Sequence, residues 1–149
     1  MENRVNVNLE KYLVETGQWI DEVATHLDHT ERKDWAFNAL RSVLHVIRDR
    51  TITEEAFQLS AQLPMLLRGL FFEGYQLSNK PEKFHLDEML NRIEEGMGPA
   101  SDFTPEQVFK AVLLVLNDHI SKGELNDIYA SMPKDIKSIW DESLKEHAA

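Results

Sequence analysis

The sequence predicts an all-α fold, a bundle of about eight helices arranged as two tandem four-helix copies with approximate two-fold symmetry. Three observations carry this expectation. Apolar residues recur at spacings of three and four, as in Ala36, Leu40, Val43, Leu44 and Ile47, which is the period of a helix with one buried face. Helix-start chemistry is frequent, most clearly at Thr104-Pro105-Glu106-Gln107, where a hydroxyl cap precedes proline at the first helical position and glutamine at the third. Finally, the stretch Ala36–Phe71 lies without a gap on Pro105–Trp140, 69 positions later. Val43/Val112, Leu44/Leu113, Val46/Val115, Asp49/Asp118, Glu55/Glu124, Ala61/Ala130 and Pro64/Pro133 are identical in the two stretches.

Taken in order, Asn8 caps a first helix whose inward face is Tyr12, Leu13, Ile20, Val23 and Leu27, with Trp19 beside it and Gly17 weakening its middle. Thr30 is the expected cap of a second helix reaching about Arg50. Thr53 should cap a short third helix carrying Ala56, Leu59 and Leu63. Pro64, which has no N–H to donate, belongs in the first turn of a fourth, over MLLRGLFF. Gly69 in that helix reads as a close approach by a neighbouring backbone, and Gly74 as its end. The polar residues 76–83 form a linker between copies spanning about 9–75 and 84–146, so that residues 1–149 make one domain.

The second copy opens with a helix from about His85 to Glu95, with Leu86, Met89, Leu90 and Ile93 inward and Gly96 closing it. The sixth helix is apolar nearly all round from Val108 to Leu116, so it should be buried on most sides. Ser121-Lys122-Gly123-Glu124 fits a second capping box and opens the seventh helix. Pro133 repeats the Leu63-Pro64 corner, and the last helix ends in a polar tail, LKEHAA. VNVNL at residues 5–9 alternates, but a single short strand without a partner is not viable.

Composition narrows the function classes. The chain has no cysteine, which removes disulfides, thiol nucleophiles and cysteine-held zinc together. No apolar run is long enough to span a bilayer, and the start lacks the apolar stretch of a signal peptide, so a cytoplasmic location is expected. The net charge of −10 is shared by both halves. Such a surface repels nucleic acid and anionic membranes at long range, and neither is expected as a partner.

The run ALRSVLHVIRDRTITEEAFQLSAQLPMLLRGLFFEGY, residues 39–75, resembles the bacterial domain-of-unknown-function family numbered 2267. The resemblance rests on the ALR-VLH-RDR segment, the QLP corner, the Arg68-Gly69 pair followed by aromatics, and a weaker second copy ending at Met132-Pro133. It covers about residues 15–142 and implies a small all-helical domain. It brings no activity, substrate or cofactor with it.

Several clusters are candidates for chemistry. Asn38, Arg41, His45 and Arg48 fall at helical spacing on one stripe of the second helix, and two guanidiniums flanking an imidazole could hold a phosphate or carboxylate, with Arg68 contributing. The second copy has Gln107, Lys110, Leu114 and Asn117 at those positions, so the stripe is specific to the first; a plain solvated face is the competing reading. His26, Asp28, His29 and Glu31 offer metal-ligand types within six residues, but no second cluster completes a shell and no metal or cofactor is assigned. Asp49 and Asp118 read as caps of backbone N–H groups rather than as paired catalytic acids. No residue sits in a nucleophile elbow or phosphate loop, so no catalytic residue is assigned. Phe72 and Tyr75, with Gly69 and Gly74, could line an apolar groove for a partner helix or a second subunit, while Phe71 should pack inside. The expected function is a non-enzymatic interaction module that binds a protein segment or itself beside Phe72 and Tyr75. The alternative is a protein or enzyme that takes a small anion on the Arg41, His45, Arg48 stripe.

Overall fold

Helical periodicity becomes helices wherever the sequence places it. The computed structural model describes residues 8–148, with side chains as far as residue 145. The alternation at residues 5–7 and the final side chains of the polar tail lie outside these. The described residues form eight α-helices and no strand: α1 (Leu9–His26), α2 (Lys33–Arg50), α3 (Thr53–Ser60), α4 (Met65–Phe71), α5 (Leu86–Met97), α6 (Pro105–His119), α7 (Lys122–Ala130) and α8 (Lys134–Ala148). None is long and apolar enough to cross a membrane.

α6 is the centre of the bundle. Its Thr104 cap and Gln107 make the reciprocal capping box that the sequence predicts, and every side chain from Val108 to Leu116 except Lys110 is buried. The helix touches α1, α2, α5 and α8, which is why no polar face remains on it. Each of its larger apolar side chains contributes about 1.5–3 kcal/mol by leaving water. The positions identical between the two stretches, Val43, Leu44 and Val46 with Val112, Leu113 and Val115, all lie in this shared core.

Several expectations shift. The cap of α2 is Arg32 rather than Thr30. Ile52 occupies the cap of α3, with Thr53 as its first residue, and Pro64 is itself the cap of α4. Leu13 is 63% exposed rather than inward, along with Leu9 and Val14. Burial on α1 begins in earnest at Trp19, because the first turns run past the edge of the core.

The glycine expected to mark a close approach does not do so, and the one expected to end α5 makes that contact instead. A Cβ at Gly69 would meet nothing, so that position opens onto free space. Gly96 lies inside α5, where a Cβ would overlap the Ser42 hydroxyl and come within 2.8 Å of the Ser42 Cβ. It is the contact that lets α5 lie against α2, and Gly98 at φ 82° ends the helix instead.

The stretch between α4 and α5 is fastened down. The Glu82 N–H donates to the Asp49 carbonyl at 2.8 Å, and the buried Arg50 Nε donates to the Phe84 carbonyl at 2.8 Å. Arg92 of α5 reaches Glu82 at 2.9 Å and lies over the Phe84 ring. Within residues 76–83, Lys80 and Glu82 are polar because they make ion pairs and hydrogen bonds with the end of α2 and with α5.

Candidate functional site

The Arg/His stripe on α2 turns toward the end of α4. Like any helix, α4 leaves its last carbonyls without intrahelical donors, and those of Leu70 and Phe71 are met from α2. His45 Nε2 lies 2.8 Å from the Leu70 carbonyl. A carbonyl only accepts, so Nε2 carries the hydrogen in this contact. Burial, opposed by this bond and reinforced by Arg48 and Arg41, holds the His45 pKa below its ordinary value. Arg48, only 5% exposed, donates from Nη1 to the carbonyls of Phe71 at 2.8 Å and Glu73 at 2.7 Å. Its Nε and Nη2 grip both carboxylate oxygens of Asp49 at 2.8 and 3.1 Å. Arg41, exposed, pairs with Glu73 at 2.7 Å.

The stripe thus works as a side-chain cap for the C-terminus of α4, placing positive charge where the helix dipole is negative. Asp49 serves its own neighbour, Arg48, and not the N–H groups of the next helix. Arg68 is not brought to this place. Its Nε and Nη2 close the α3–α4 corner by donating to the carbonyls of Leu63 at 3.0 Å and Ala61 at 3.2 Å. It lines a separate polar groove with Lys11, Glu15, Trp19 and His119.

The histidines near residue 29 separate as well. α1 ends at His26, so His26 and His29 do not share a helix face. His29 stands edge-on to Trp35 and Phe103 and has Nδ1 3.2 Å from Glu31.

Phe72 and Tyr75 pack on α3. The Phe72 ring lies 4.9 Å from Phe57 and 5.5 Å from Tyr75, and the Tyr75 hydroxyl is 3.3 Å from the Thr53 hydroxyl. Phe71 is fully buried. The exposed apolar surface beside this cluster belongs to Phe57, 54% exposed, and to Ile52.

Gly69 does open onto a groove, but a different one. Thr16 of α1, Phe37 of α2, Leu66, Leu67 and Leu70 of α4, and Glu73 just beyond it enclose a shallow space of about 440 Å³ around it. Phe37 is 38% exposed and Leu66 44%. Neither falls on the core period of its helix, and that is the signal in the sequence that could have singled them out. The sequence alone does not say that α1, α2 and α4 would bring these positions together.

The family model for an uncharacterized conserved protein, DUF2267, matches residues 16–139. The chain belongs to this family. No curated protein matches the sequence. The DUF2267 match begins at Thr16 and ends at Ile139, so it spans the groove, the α4 cap and the α3–α7 contact alike.

That last contact holds the group that the sequence most clearly hid. Glu55 on α3, Glu124 on α7 and Asp127 on α7 place carboxylate oxygens within 4.8 Å of one another. Glu55 and Glu124 are one of the seven identical pairs between the two aligned stretches, each at the third position of its helix. The retained acid was the available signal; that the two copies of it would meet was not.

Proposed function

We propose that this DUF2267 chain is a non-enzymatic interaction module, one domain of two related four-helix copies, which seats an apolar helical segment with basic flanks. The seat is the groove between α1, α2 and α4. The observation that carries this reading is that Phe37, Leu66 and Leu70 stand around Gly69 with open space above it, while the core beneath is complete. The exposed Leu13 and Val14 on α1, the helix that supplies Thr16 to the groove, add to the apolar surface available for contact. Apolar side chains clustered at a concavity are what a partner helix uses as an anchor site. The net charge of −10 favours a partner with basic flanks over a second, equally acidic copy. Phe57 and Ile52, beside Phe72 and Tyr75, offer a second and smaller apolar surface. A cysteine-free, acidic composition fits work in the cytoplasm.

The alternative, a small anion held by the α2 stripe, has less support. His45 and Arg48 direct their donors to Leu70, Phe71, Glu73 and Asp49. A phosphate there would have to displace those bonds and face the Asp49 carboxylate.

The test compares two synthetic Leu/Lys peptides of identical composition, one amphipathic as a helix and one scrambled, by NMR shift mapping. The amphipathic peptide should perturb the amides of Phe37, Leu66 and Leu70, and Leu66→Glu should abolish the effect. Equal binding of both peptides would show attraction by charge alone and defeat the reading. A mass that doubles with concentration, and reverts in Leu66→Glu, would assign the groove to a second copy instead.

A further inference from the structure

The strongest unexplained chemistry lies away from the groove, where α3 meets α7. Glu124 is only 7% exposed although it is a glutamate at the start of a surface helix. In a capping box its carboxylate would reach back to the N–H of Ser121. That N–H is taken by Gln62, whose Oε1 accepts it at 2.8 Å, while Gln62 Nε2 donates to the Ser121 hydroxyl at 3.1 Å. Glu124 is left to turn inward toward Glu55. The result is two buried carboxylate oxygens, Glu55 Oε1 and Glu124 Oε2, without a hydrogen-bond partner. Asp127, one turn on along α7, adds a third carboxylate from the solvent side.

An isolated acidic cluster on a surface needs no explanation. Buried carboxylate oxygens aimed at one another do, because each loses hydration and gains repulsion. A cation seated between these oxygens would remove the repulsion and replace the lost hydration.

We propose that Glu55, Glu124 and Asp127 bind a divalent cation of the calcium, manganese or magnesium kind, bridging α3 and α7. Oxygens up to 4.8 Å apart suit a central ion with bonds of about 2.1–2.6 Å, the two farthest lying nearly opposite each other. The donor set is all carboxylate, which selects hard cations over zinc or copper. The exposed side at Asp127 leaves room for water to complete the shell. The ion would tie a helix of the first repeat to its counterpart in the second, through the one acidic pair the two repeats share in those helices. Asp127 stands where the first repeat has Gln58, so the third ligand comes from one side only.

The experiment is calorimetric titration of the EDTA-treated full chain with calcium, manganese and magnesium chlorides at about pH 8, which limits competition from protons. The expected result is one saturable site per chain for at least one of the three, with a higher melting temperature in its presence. Asp127→Asn, at an exposed position that leaves the fold alone, should weaken that binding about ten-fold or more. Glu124→Gln should remove both the binding and the melting shift. If Glu124→Gln does not fold, Glu55→Gln serves in its place. Absence of saturable heat with all three salts at millimolar concentrations would overturn the proposal, as would binding left unchanged by Asp127→Asn and the Glu variants. A melting temperature that responds to pH but to none of the cations would assign the pair to a shared proton and equally overturn it.

Discussion

Gln62 and Ser121 hydrogen-bond each other in both directions, Nε2 to Oγ at 3.1 Å and Oε1 from the backbone N–H at 2.8 Å. This pair joins the end of the α3 segment to the start of α7, and it determines where Glu124 points. Gln62→Ala should therefore do two things. It should cost about 0.5–1.5 kcal/mol in urea unfolding, the usual size of a partly exposed hydrogen-bonded contact. It should also free the Ser121 N–H for Glu124 and lower the Glu124 pKa toward that of an ordinary carboxylate. Side-chain carboxyl NMR on the variant reads the second effect directly; an unchanged Glu124 titration would refute the link.

Gly69 and Gly96 make opposite predictions from the same residue type. Gly69 is helical with open space where a Cβ would be, so Gly69→Ala should stabilise by about 1 kcal/mol through helix propensity. Gly96→Ala must push α5 off Ser42 and should destabilise by about 1–3 kcal/mol, as overpacking does. Ser42→Gly should restore most of that loss in the double variant. Thermal unfolding of the four proteins is sufficient, and a neutral Gly96→Ala would mean that the α2–α5 contact gives way more easily than its geometry implies.

The same two glycines show what could be read in the chain and what could not. Local chemistry was legible: the Thr104 cap, the all-round apolar run of α6, and the Pro64 and Pro133 corners depend on neighbours in sequence. The sequence also pointed to Val43, Leu44, Val112 and Leu113 as fold-building positions, and all four are fully buried. What escaped depends on which helices become neighbours. Arg41, His45 and Arg48 look like an anion clamp until α4 presents its carbonyls to them. Leu13 looks inward until α1 outruns the core. Glu55 and Glu124 look like two separate, if equivalent, first-turn acids until α3 meets α7.

Arg48 makes four donor contacts, two of them to the bidentate Asp49, at near-complete burial. Removing it leaves the Asp49 carboxylate, which is itself largely buried, and the last carbonyls of α4 without their donor. Arg48→Met should cost about 3–5 kcal/mol, the range for breaking a buried pair by taking one member. Arg48→Lys should recover little, because an ammonium cannot reproduce the fork that spans Asp49 and two carbonyls. The midpoint in urea measures both. A loss below about 1 kcal/mol for Arg48→Met would show that water replaces the guanidinium without penalty.

Stability should respond to pH through two groups with opposite signs. The His45 pKa is lowered on folding, mainly by burial, so its contribution is present above the ordinary value of about 6.5 and is lost as pH falls below it. The Glu124 pKa is raised from 4.5 to about 7, burial first and Glu55 second. Its folded form prefers the proton, so no penalty exists below pH 4.5, and the penalty grows as pH rises to about 7 and then levels off. In EDTA, Glu124→Gln should flatten the decline between these limits and exceed the parent by roughly 1–3 kcal/mol at the alkaline end. His45→Gln, whose amide can still donate to the Leu70 carbonyl, should remove the loss on the acid side alone. Urea midpoints of the three proteins across this range test both arms. A Glu124→Gln curve parallel to the parent would mean that the Glu55–Glu124 pair is ionised without cost, and that solvent reaches it more freely than the burial of Glu124 allows.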